Sequence, residues 1–299
     1  MSRLTITKFN ETYLNKVHRT DCLTFLKTLP NNCLDVVVTS PPYNMGNQDF
    51  SEDPKRPKTT DKSVNKLKAS SKVLEEGYDT FDDCLPWSVY VNQQRELLME
   101  LIRCLRPDGA IFYNTKWRIH KGLLNDLHKI VYGFPVRQVI IWNKYSTASF
   151  SDNFFMSRYE VIYLITKGID STLKITKNGQ TYGDIWSFCP ERDNDHPAPF
   201  PVDLPYNCIS ALKCGEERKL VVYDPYHGSG TTSIVADALG HNWLGTEISE
   251  KYIKDFYERL KKNKLHSELN IKNEDNKKHA LNYKYYDTKE VLNVNKIIL

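Results

Sequence analysis

The sequence predicts an α/β protein with a doubly wound, mostly parallel sheet that carries helices on both faces. Apolar, β-branched runs alternate along the chain with segments whose apolar residues recur at helical spacing. Two of these runs lead directly into turns rich in proline or glycine, as in α/β sheets that bind ligands at the carboxyl ends of their strands. A chain of 299 residues is long enough to bury one large core of this kind.

The individual elements follow from these runs and from the breakers between them. Strands are predicted at residues 34–38, 110–113, 136–142, 159–165, 220–223 and 243–245. Helices are predicted at residues 21–29, 97–105, 123–131 and 231–239. Pro30 ends the first helix, and Pro107-Asp108-Gly109 ends the second. Residues 167–199 are polar and rich in proline, so an irregular segment is expected there.

Composition excludes several classes of protein. The chain is 40% hydrophobic and 26% charged, which argues against a mostly disordered protein. No apolar run approaches the roughly 20 residues of a membrane helix, and the first residues lack a signal-peptide core, so neither membrane insertion nor export is expected. The seven cysteines are scattered and never form C-x-x-C, which indicates a reducing cytoplasm rather than a disulfide scaffold. No metal site is expected, since His196 and His227 have no partner at ligand spacing.

The distribution of charge is more informative than the net charge of +4. Residues 51–75 contain seven Lys/Arg and four Asp/Glu with no periodic apolar face, which predicts a basic mobile insertion. The end of the chain is also basic and rich in lysine and asparagine. Contact with nucleic-acid phosphates and a merely solvated surface are both open interpretations of these two segments.

The glycine-rich turn at residues 224–232, D-P-Y-H-G-S-G-T-T, lies between a strand and a helix. It is not a P-loop, because no lysine follows its second glycine, and it is not G-x-G-x-x-G. The next strand ends in Glu247, where doubly wound folds place a carboxylate on ribose hydroxyls. A ligand with a ribose but no phosphate is therefore indicated, and S-adenosylmethionine qualifies. The alternative is a tight connection without a ligand.

A second motif, Ser40-Pro41-Pro42-Tyr43, follows a predicted buried strand. The two prolines fix the backbone and supply no N–H, so their carbonyls are rigid acceptors. An exocyclic amine offers two N–H donors, which the Ser40 hydroxyl oxygen and the Pro41 carbonyl are able to accept. The Tyr43 ring would stack on the base. The alternative is a proline-rich turn with a partly buried tyrosine.

The order of the motifs is distinctive. T-S-P-P-Y-N at 39–44 precedes H-P-A-P-F-P at 196–201, which precedes the glycine-rich turn. This arrangement resembles the β-class DNA amino-methyltransferases of restriction-modification systems, over roughly residues 21–252. Ribosomal-RNA and protein-glutamine methyltransferases with a similar N-P-P-Y motif normally show the opposite order. The resemblance implies a Rossmann-like, S-adenosylmethionine-dependent methyltransferase fold with permuted motif order and a small target-recognition region.

The target base is inferred from two positions of the motifs. Serine rather than aspartate stands before Pro-Pro-Tyr, and F-P rather than K-P follows the His196 motif. Both features resemble the N4-cytosine group of the family. Adenine-N6 methylation is the alternative within the same fold.

The resemblance also implies roles for individual residues. Catalysis is carried over to Ser40, Pro41, Pro42 and Tyr43. Cofactor binding is carried over to Asp21 (adenine amine), Glu247 (ribose), Phe200 and Pro201 (methionine end) and the turn residues Asp224, Tyr226, Gly228, Ser229, Gly230, Thr231 and Thr232. Asp184 and Trp186 resemble a D-x-W that precedes the cofactor segment, where a structural role is equally open. Arg158 and Glu160 are candidates for the base pocket or for a surface salt bridge.

The implied organisation assigns residues 1–46 to the catalytic-motif half of the methyltransferase domain, 47–82 to the basic insertion, 83–166 to the methyltransferase domain, 167–195 to target recognition, 196–262 to the cofactor-binding half and 263–299 to a basic tail. The implied reaction is direct methyl transfer to a flipped-out base. The implied partner is double-stranded DNA with a specific short site. A cognate restriction endonuclease and a homodimer are left open, as are an RNA substrate and an inactive binding module.

Overall fold

The chain is built around one large sheet with helices on both faces. A computed structural model describes residues 6–44, 85–120, 123–145, 155, 157–189, 200–213 and 218–271. The strands are β1 (Lys16–Arg19), β2 (Leu34–Thr39), β3 (Leu105–Thr115), β4 (Arg118–His120), β5 (Leu123–Asn125), β6 (Val136–Asn143), β7 (Tyr159–Thr166), β8 (Ile185–Ser187), β9 (Val221–Asp224) and β10 (Asn242–Glu247). The helices are α1 (Ile6–Tyr13), α2 (Cys22–Leu26), α3 (Trp87–Cys104), α4 (His128–Val131), α5 (Lys177–Thr181), α6 (Asp203–Ser210), α7 (Thr231–Ala238) and α8 (Glu250–Ile271).

The eight-stranded sheet has the order β1-β10-β9-β2-β3-β7-β6-β8. Strand β7 runs antiparallel to both of its neighbours, and the other pairings in this sheet are parallel. From β2 the chain continues toward one side of the sheet, and from β9 it continues toward the other. The predicted doubly wound sheet is confirmed, and the switch in direction falls between β9 and β2, where such sheets bind ligands.

Two apolar layers cover the faces of the sheet. Successive residues of a strand point to opposite faces, so Val37 packs in one layer and Val36 and Val38 pack in the other. Helices α1, α2 and α3 contribute to the first layer, and α6, α7 and α8 contribute to the second. All six residues of β2 are buried because both faces are covered, which explains why three valines, Val36, Val37 and Val38, follow one another in this strand.

Helix α2 begins where the sequence predicts. The Asp21 carboxylate accepts a hydrogen bond from the Thr24 backbone N–H at 2.8 Å, which satisfies one of the free donors of the first turn. The same side chain is thereby held at the carboxyl end of β1. Its role as a helix cap is confirmed, and this position also faces the cavity described below.

Two predicted segments are wrong. Residues 123–131 form a short strand, β5, paired with β4, and only the last four residues are helical. The apolar residues there fit a helical period, but pairing with a neighbouring strand decides the structure. The segment from 167 is more regular than predicted, because β8 adds a parallel edge strand to β6 and buries Trp186. This strand is only three residues long, too short for periodicity to show.

Some predicted segments lie outside the described residues. These are the 47–82 insertion, residues 190–195 of the target-recognition region, His196 and Pro197, and the tail beyond Ile271. Within the described part of the chain, no helix has the length and apolar character required to cross a membrane.

Candidate active site

A cavity of about 400 Å³ opens at the carboxyl edge of the sheet, beside the switch point between β9 and β2. Its walls come from the segments that follow β1, β2, β9 and β10, together with one face of α3 and Phe200. A pocket of this size is typical of small-molecule and cofactor sites. Because parallel strands all end at one edge, motifs far apart in sequence meet around a single space.

The glycine-rich turn forms one wall of the cavity. Gly228 and Gly230 both have positive φ, at 50° and 78°, and Gly230 immediately precedes α7. A Cβ at Gly230 would lie 2.1 Å from a ring carbon of Phe256, so the turn packs directly against α8. Arg259 of α8 donates to the Ser229 carbonyl at 3.0 Å and to the Thr231 hydroxyl at 3.2 Å. The turn is therefore fixed from behind.

Two carboxylates hold the turn in place. Asp224 is buried and accepts hydrogen bonds from the Tyr226 N–H at 3.1 Å and the Thr232 hydroxyl at 2.9 Å. Burial raises the pKa of Asp224 to about 7, in spite of these hydrogen bonds. Glu247 accepts a hydrogen bond from the Gly228 N–H at 2.8 Å, which joins the end of β10 to the turn.

The ring of Tyr226 is a rigid part of the wall. Its hydroxyl accepts a hydrogen bond from the Gln94 side chain at 3.0 Å, and Gln94 in turn accepts one from the Tyr113 hydroxyl at 2.9 Å. Burial raises the pKa of Tyr226 well above its usual value, so the phenol stays neutral. The Tyr226 hydroxyl is therefore hydrogen-bonded within the protein, and its ring faces the cavity, where it can contact a bound ligand.

The Ser40 motif forms the facing wall and is tied to three other strands. The Ser40 hydroxyl lies 2.7 Å from the Tyr43 hydroxyl, which donates to Glu160 at 2.9 Å. The Asn114 side-chain nitrogen lies 2.9 Å from the Tyr43 hydroxyl and 2.8 Å from Glu160. Lys144 forms an ion pair with the other oxygen of Glu160 at 2.8 Å. Asn114 lies near the end of β3, Lys144 follows β6 and Glu160 begins the antiparallel β7, so all reach the same edge.

The charge state of Glu160 follows from these contacts. Burial by itself would raise the pKa of this carboxyl, but the Lys144 charge and the hydrogen bonds from Asn114 and Tyr43 outweigh it. The pKa of Glu160 is therefore lowered from its usual value, and the group is an anion at neutral pH.

Eleven of the predicted site residues line this one cavity. They are Asp21, Ser40, Pro41, Pro42, Tyr43, Phe200, Tyr226, Gly228, Ser229, Thr231 and Glu247. The other four, Pro201, Asp224, Gly230 and Thr232, are buried and support the wall from behind. The Pro201 carbonyl, for example, accepts from the Leu204 N–H at 3.1 Å in the first turn of α6.

Three other residues singled out in the sequence form hydrogen bonds with neighbouring parts of the fold. Trp186 is buried, and its indole N–H donates to the Gly183 carbonyl. The Asp184 carbonyl accepts from the Ile141 N–H at 2.8 Å, within the pairing of β6 and β8. His227 is buried with a ring nitrogen 2.9 Å from the Ser233 hydroxyl. No cluster of metal-binding side chains occurs among the described residues.

Sequence reasoning missed one wall of the cavity entirely. Gln93, Glu96 and Leu97 of α3 face the cavity, and their spacing of three and four residues puts them on one face of a helix. Their spacing is the available signal, but it does not reveal which face of α3 would meet the site. Asn114 and Lys144 were also missed, because they belong to no sequence motif and reach the Ser40 motif only through the order of the strands in the sheet.

Comparison with known proteins defines the class. The family model described as DNA methylase matches residues 34–258. The type II methyltransferase M.BglII of Bacillus subtilis is 25% identical over 290 residues, covering 84% of this chain and 70% of its own length. The type II methyltransferase M.HinfI of Haemophilus influenzae is 26% identical over 272 residues, covering 83% and 69%.

Solved structures share the fold. A DNA modification methylase from Thermus thermophilus aligns with a TM-score of 0.55 at 21% identity, covering 83% of this chain and 94% of that one. A structure of the same Thermus methylase holds S-adenosylmethionine. The cytosine-N4-specific PvuII DNA methyltransferase aligns with a TM-score of 0.58 at 17% identity, covering 82% and 88%.

The fold and the motif-lined cavity thus define an α/β methyltransferase that uses S-adenosylmethionine as the methyl donor. In its sequence the Ser40 motif precedes the glycine-rich turn. The chain belongs to the DNA methylase family and is a β-class DNA amino-methyltransferase.

Proposed function

We propose that this protein methylates the exocyclic N4 amine of cytosine at a specific short site in double-stranded DNA, as the modification enzyme of a type II restriction-modification system. One observation carries the proposal: the Ser40 motif and the predicted cofactor residues Asp21, Tyr226 and Glu247 line a single cavity of about 400 Å³. Further support comes from the names of M.BglII and M.HinfI, which are type II methyltransferases.

The cofactor-binding half has the donors and acceptors that S-adenosylmethionine requires. When bound, this group supplies an electrophilic methyl carbon on a sulfonium sulfur. Glu247 accepts hydrogen bonds from ribose hydroxyls, Asp21 accepts from the adenine amine, and the fixed ring of Tyr226 packs against the adenine. Acidic side chains around the cavity suit a ligand with a sulfonium and an ammonium charge. Phe200 closes the methionine end.

The catalytic half holds and polarises the amine. The Ser40 hydroxyl oxygen and the Pro41 carbonyl accept its two N–H groups, which aligns the nitrogen lone pair for in-line displacement. The Pro42 carbonyl is already engaged by the Tyr90 hydroxyl at 2.9 Å. In a duplex the amine is committed to base pairing, so the base must flip out, at about a few kcal/mol. The Tyr43 ring stacks on the flipped base.

Recognition of the DNA site is assigned to residues 167–195 and to the basic insertion at 47–82. Serine at position 40 favours cytosine, and the name of the PvuII enzyme, a structural neighbour that is cytosine-N4-specific, agrees with it. The adenine N6 amine presents the same two N–H donors, so adenine is the second candidate base.

The direct test uses bacterial genomic DNA copied by a polymerase, because such DNA carries no modified bases and contains every short site. This DNA is incubated with the protein and methyl-labelled S-adenosylmethionine, and its nucleosides are analysed by mass spectrometry. Labelled N4-methylcytosine is the expected product. Labelled N6-methyladenine would correct the base but keep the reaction, and the absence of label would contradict the proposal.

The assignment of Ser40 is tested by Ser40→Ala. Loss of one preorganised hydrogen bond to the amine should lower kcat by about 100-fold, and the dissociation constant for S-adenosylmethionine should stay unchanged. Ser88→Ala is a suitable control, because Ser88 is exposed in the first turn of α3 and is not among the residues that line the cavity. Full activity in Ser40→Ala would show that the motif does not hold the amine.

A further inference from the structure

The hydrogen bonds around Ser40 have a definite direction. An ionised carboxylate only accepts hydrogen bonds, and so Glu160 must receive the Tyr43 hydroxyl hydrogen. Since that hydrogen is committed, the Tyr43 oxygen must accept the hydrogen of Ser40, 2.7 Å away. The Asn114 side-chain nitrogen, which only donates, faces the same three oxygens and uses lone pairs that this direction leaves available.

This direction decides what Ser40 offers to the cavity. With its own hydrogen turned toward Tyr43, Ser40 presents a lone pair, which is what an amine with two N–H donors requires. If the chain ran the other way, the Ser40 hydrogen would be free to point at the amine, and two donors would face each other. The lone pair is also strengthened, because each hydrogen bond in a chain that ends on an anion polarises the next.

We propose that Glu160, ion-paired with Lys144, is a positioning residue that sets the direction of the Ser40–Tyr43–Glu160 chain and so makes Ser40 an obligatory acceptor for the substrate amine. The inference rests on the proposed methylation of an exocyclic amine and holds for cytosine and adenine alike. Glu160 itself is buried behind Tyr43 and is not among the residues that line the cavity, so it acts through Tyr43 and Ser40.

Lys144 provides an unusually specific test. In Glu160→Gln, the Lys144 ammonium can only donate, so it takes the amide oxygen and leaves the amide N–H₂ facing Tyr43. The chain is then reversed although the side chain keeps its size. In the double variant with Lys144→Met, the amide oxygen is released to accept from Tyr43, and the original direction returns.

The experiment measures kcat and KM with polymerase-copied genomic DNA and labelled S-adenosylmethionine. Glu160→Gln should lower kcat about 30-fold, the effect of one hydrogen bond to a charged group, with little change in KM. The double variant should recover most of this loss. The dissociation constant for S-adenosylmethionine, measured by calorimetry, and the melting temperature should be alike in both variants. If Glu160→Gln does not fold, Tyr43→Phe interrupts the same chain and should lower kcat by a similar factor.

Three outcomes would overturn the inference. Wild-type kcat in Glu160→Gln, or in Tyr43→Phe where that variant stands in for it, would show that the chain has no influence on the reaction. A double variant as slow as Glu160→Gln would show that direction is not the cause. Loss of cofactor affinity or of stability in step with the rate would indicate a structural role. Failure of the wild-type protein to methylate the DNA is a separate result, because it contradicts the proposed function itself.

Discussion

Gly230 combines two constraints that are separable by mutation. Its φ of +78° disfavours any residue with a Cβ, and a Cβ there would meet Phe256 at 2.1 Å. Gly240 has nearly the same φ, +75°, but nothing lies within 4 Å of its Cβ position. Gly240→Ala should therefore lower the free energy of unfolding by about 1 kcal/mol, the cost of left-handed backbone alone. Gly230→Ala should lower it by about 3 kcal/mol or more, because overpacking is added.

Denaturant unfolding of the two glycine variants measures this difference. Gly230→Ala should also weaken binding of S-adenosylmethionine, since the turn must shift, whereas Gly240→Ala should bind normally. Equal losses of unfolding free energy in the two variants would show that the Phe256 ring moves aside at no energetic cost.

Asp224 makes stability depend on pH. Its pKa in the folded protein is about 7, because burial disfavours the anion, against an ordinary value of 3.8. The folded state therefore holds a proton that the unfolded state loses, and stability falls as pH rises from about 4 to about 7. Asp224→Asn does not titrate at this position. Its stability relative to the wild type should therefore be higher at about pH 8 than at about pH 5. Urea midpoints at both pH values test this, and a difference independent of pH would contradict it.

At the scale of elements, helix α8 supports the glycine-rich turn. Arg259 of α8 donates to the carbonyl and hydroxyl of Ser229 and to the Thr231 hydroxyl. Arg259→Met keeps most of the aliphatic stem but removes these donors, so the turn should loosen. The dissociation constant for S-adenosylmethionine is expected to rise about tenfold, the effect of one or two lost hydrogen bonds.

Arg19→Met is the matched control for Arg259→Met. Arg19 also joins α8, through Glu250 at 2.7 Å, but both partners are more than half exposed. Exposed ion pairs contribute little, so cofactor affinity should not change. Calorimetry on both variants decides the matter, and equal affinities in Arg259→Met and the wild type would show that α8 does not support the turn.

The elements that the sequence predicted best are those decided locally. The strand at 34–38 is evident because burial of both faces leaves a local run of β-branched residues. The Asp21 cap is evident because it contacts a residue only three positions away. The failure at 123–131 has the opposite cause, since the pairing of β5 with β4 involves residues whose periodicity also fits a helix. Packing partners, rather than intrinsic propensity, decide such segments.

The residues of the candidate site likewise differ in whether the sequence alone predicts them. Motifs that follow strands were predicted as a set, because the carboxyl ends of parallel strands converge. Asn114 and Lys144 belong to no motif, and they reach Tyr43 and Glu160 only through the order of β3, β7 and β6 in the sheet. Sequence suggested Glu160 as a residue of the base pocket or of a surface salt bridge, but only the structure reveals its contact with the Ser40 motif.

On the scale of the whole molecule, the two ends of the parallel strands differ in function. The carboxyl ends of the strands surround the cavity, and the amino ends hold a buried ionic cluster that joins β2 to the starts of β3 and β9. Asp35, at the start of β2, is fully buried and accepts from Arg218 and from the Val221 N–H at the start of β9. Arg106 lies 3.3 Å away, at the start of β3. Burial raises the pKa of Asp35, and the neighbouring donors only partly offset this effect.

This cluster lies at the opposite ends of the strands from the cavity. A substitution there should therefore lower stability without lowering activity. Asp35→Ala leaves two guanidinium groups without their buried partner and should lower the free energy of unfolding by about 3 kcal/mol. Below the melting temperature, kcat for methyl transfer should stay within about twofold of the wild type, since distant independent sites scarcely couple. Asp108→Asn is the control, because Asp108 pairs with the same Arg218 but is partly exposed, and its loss should cost at most about 1 kcal/mol. A large fall in kcat for Asp35→Ala at unchanged cofactor affinity would show instead that β2 transmits strain along its length to Ser40.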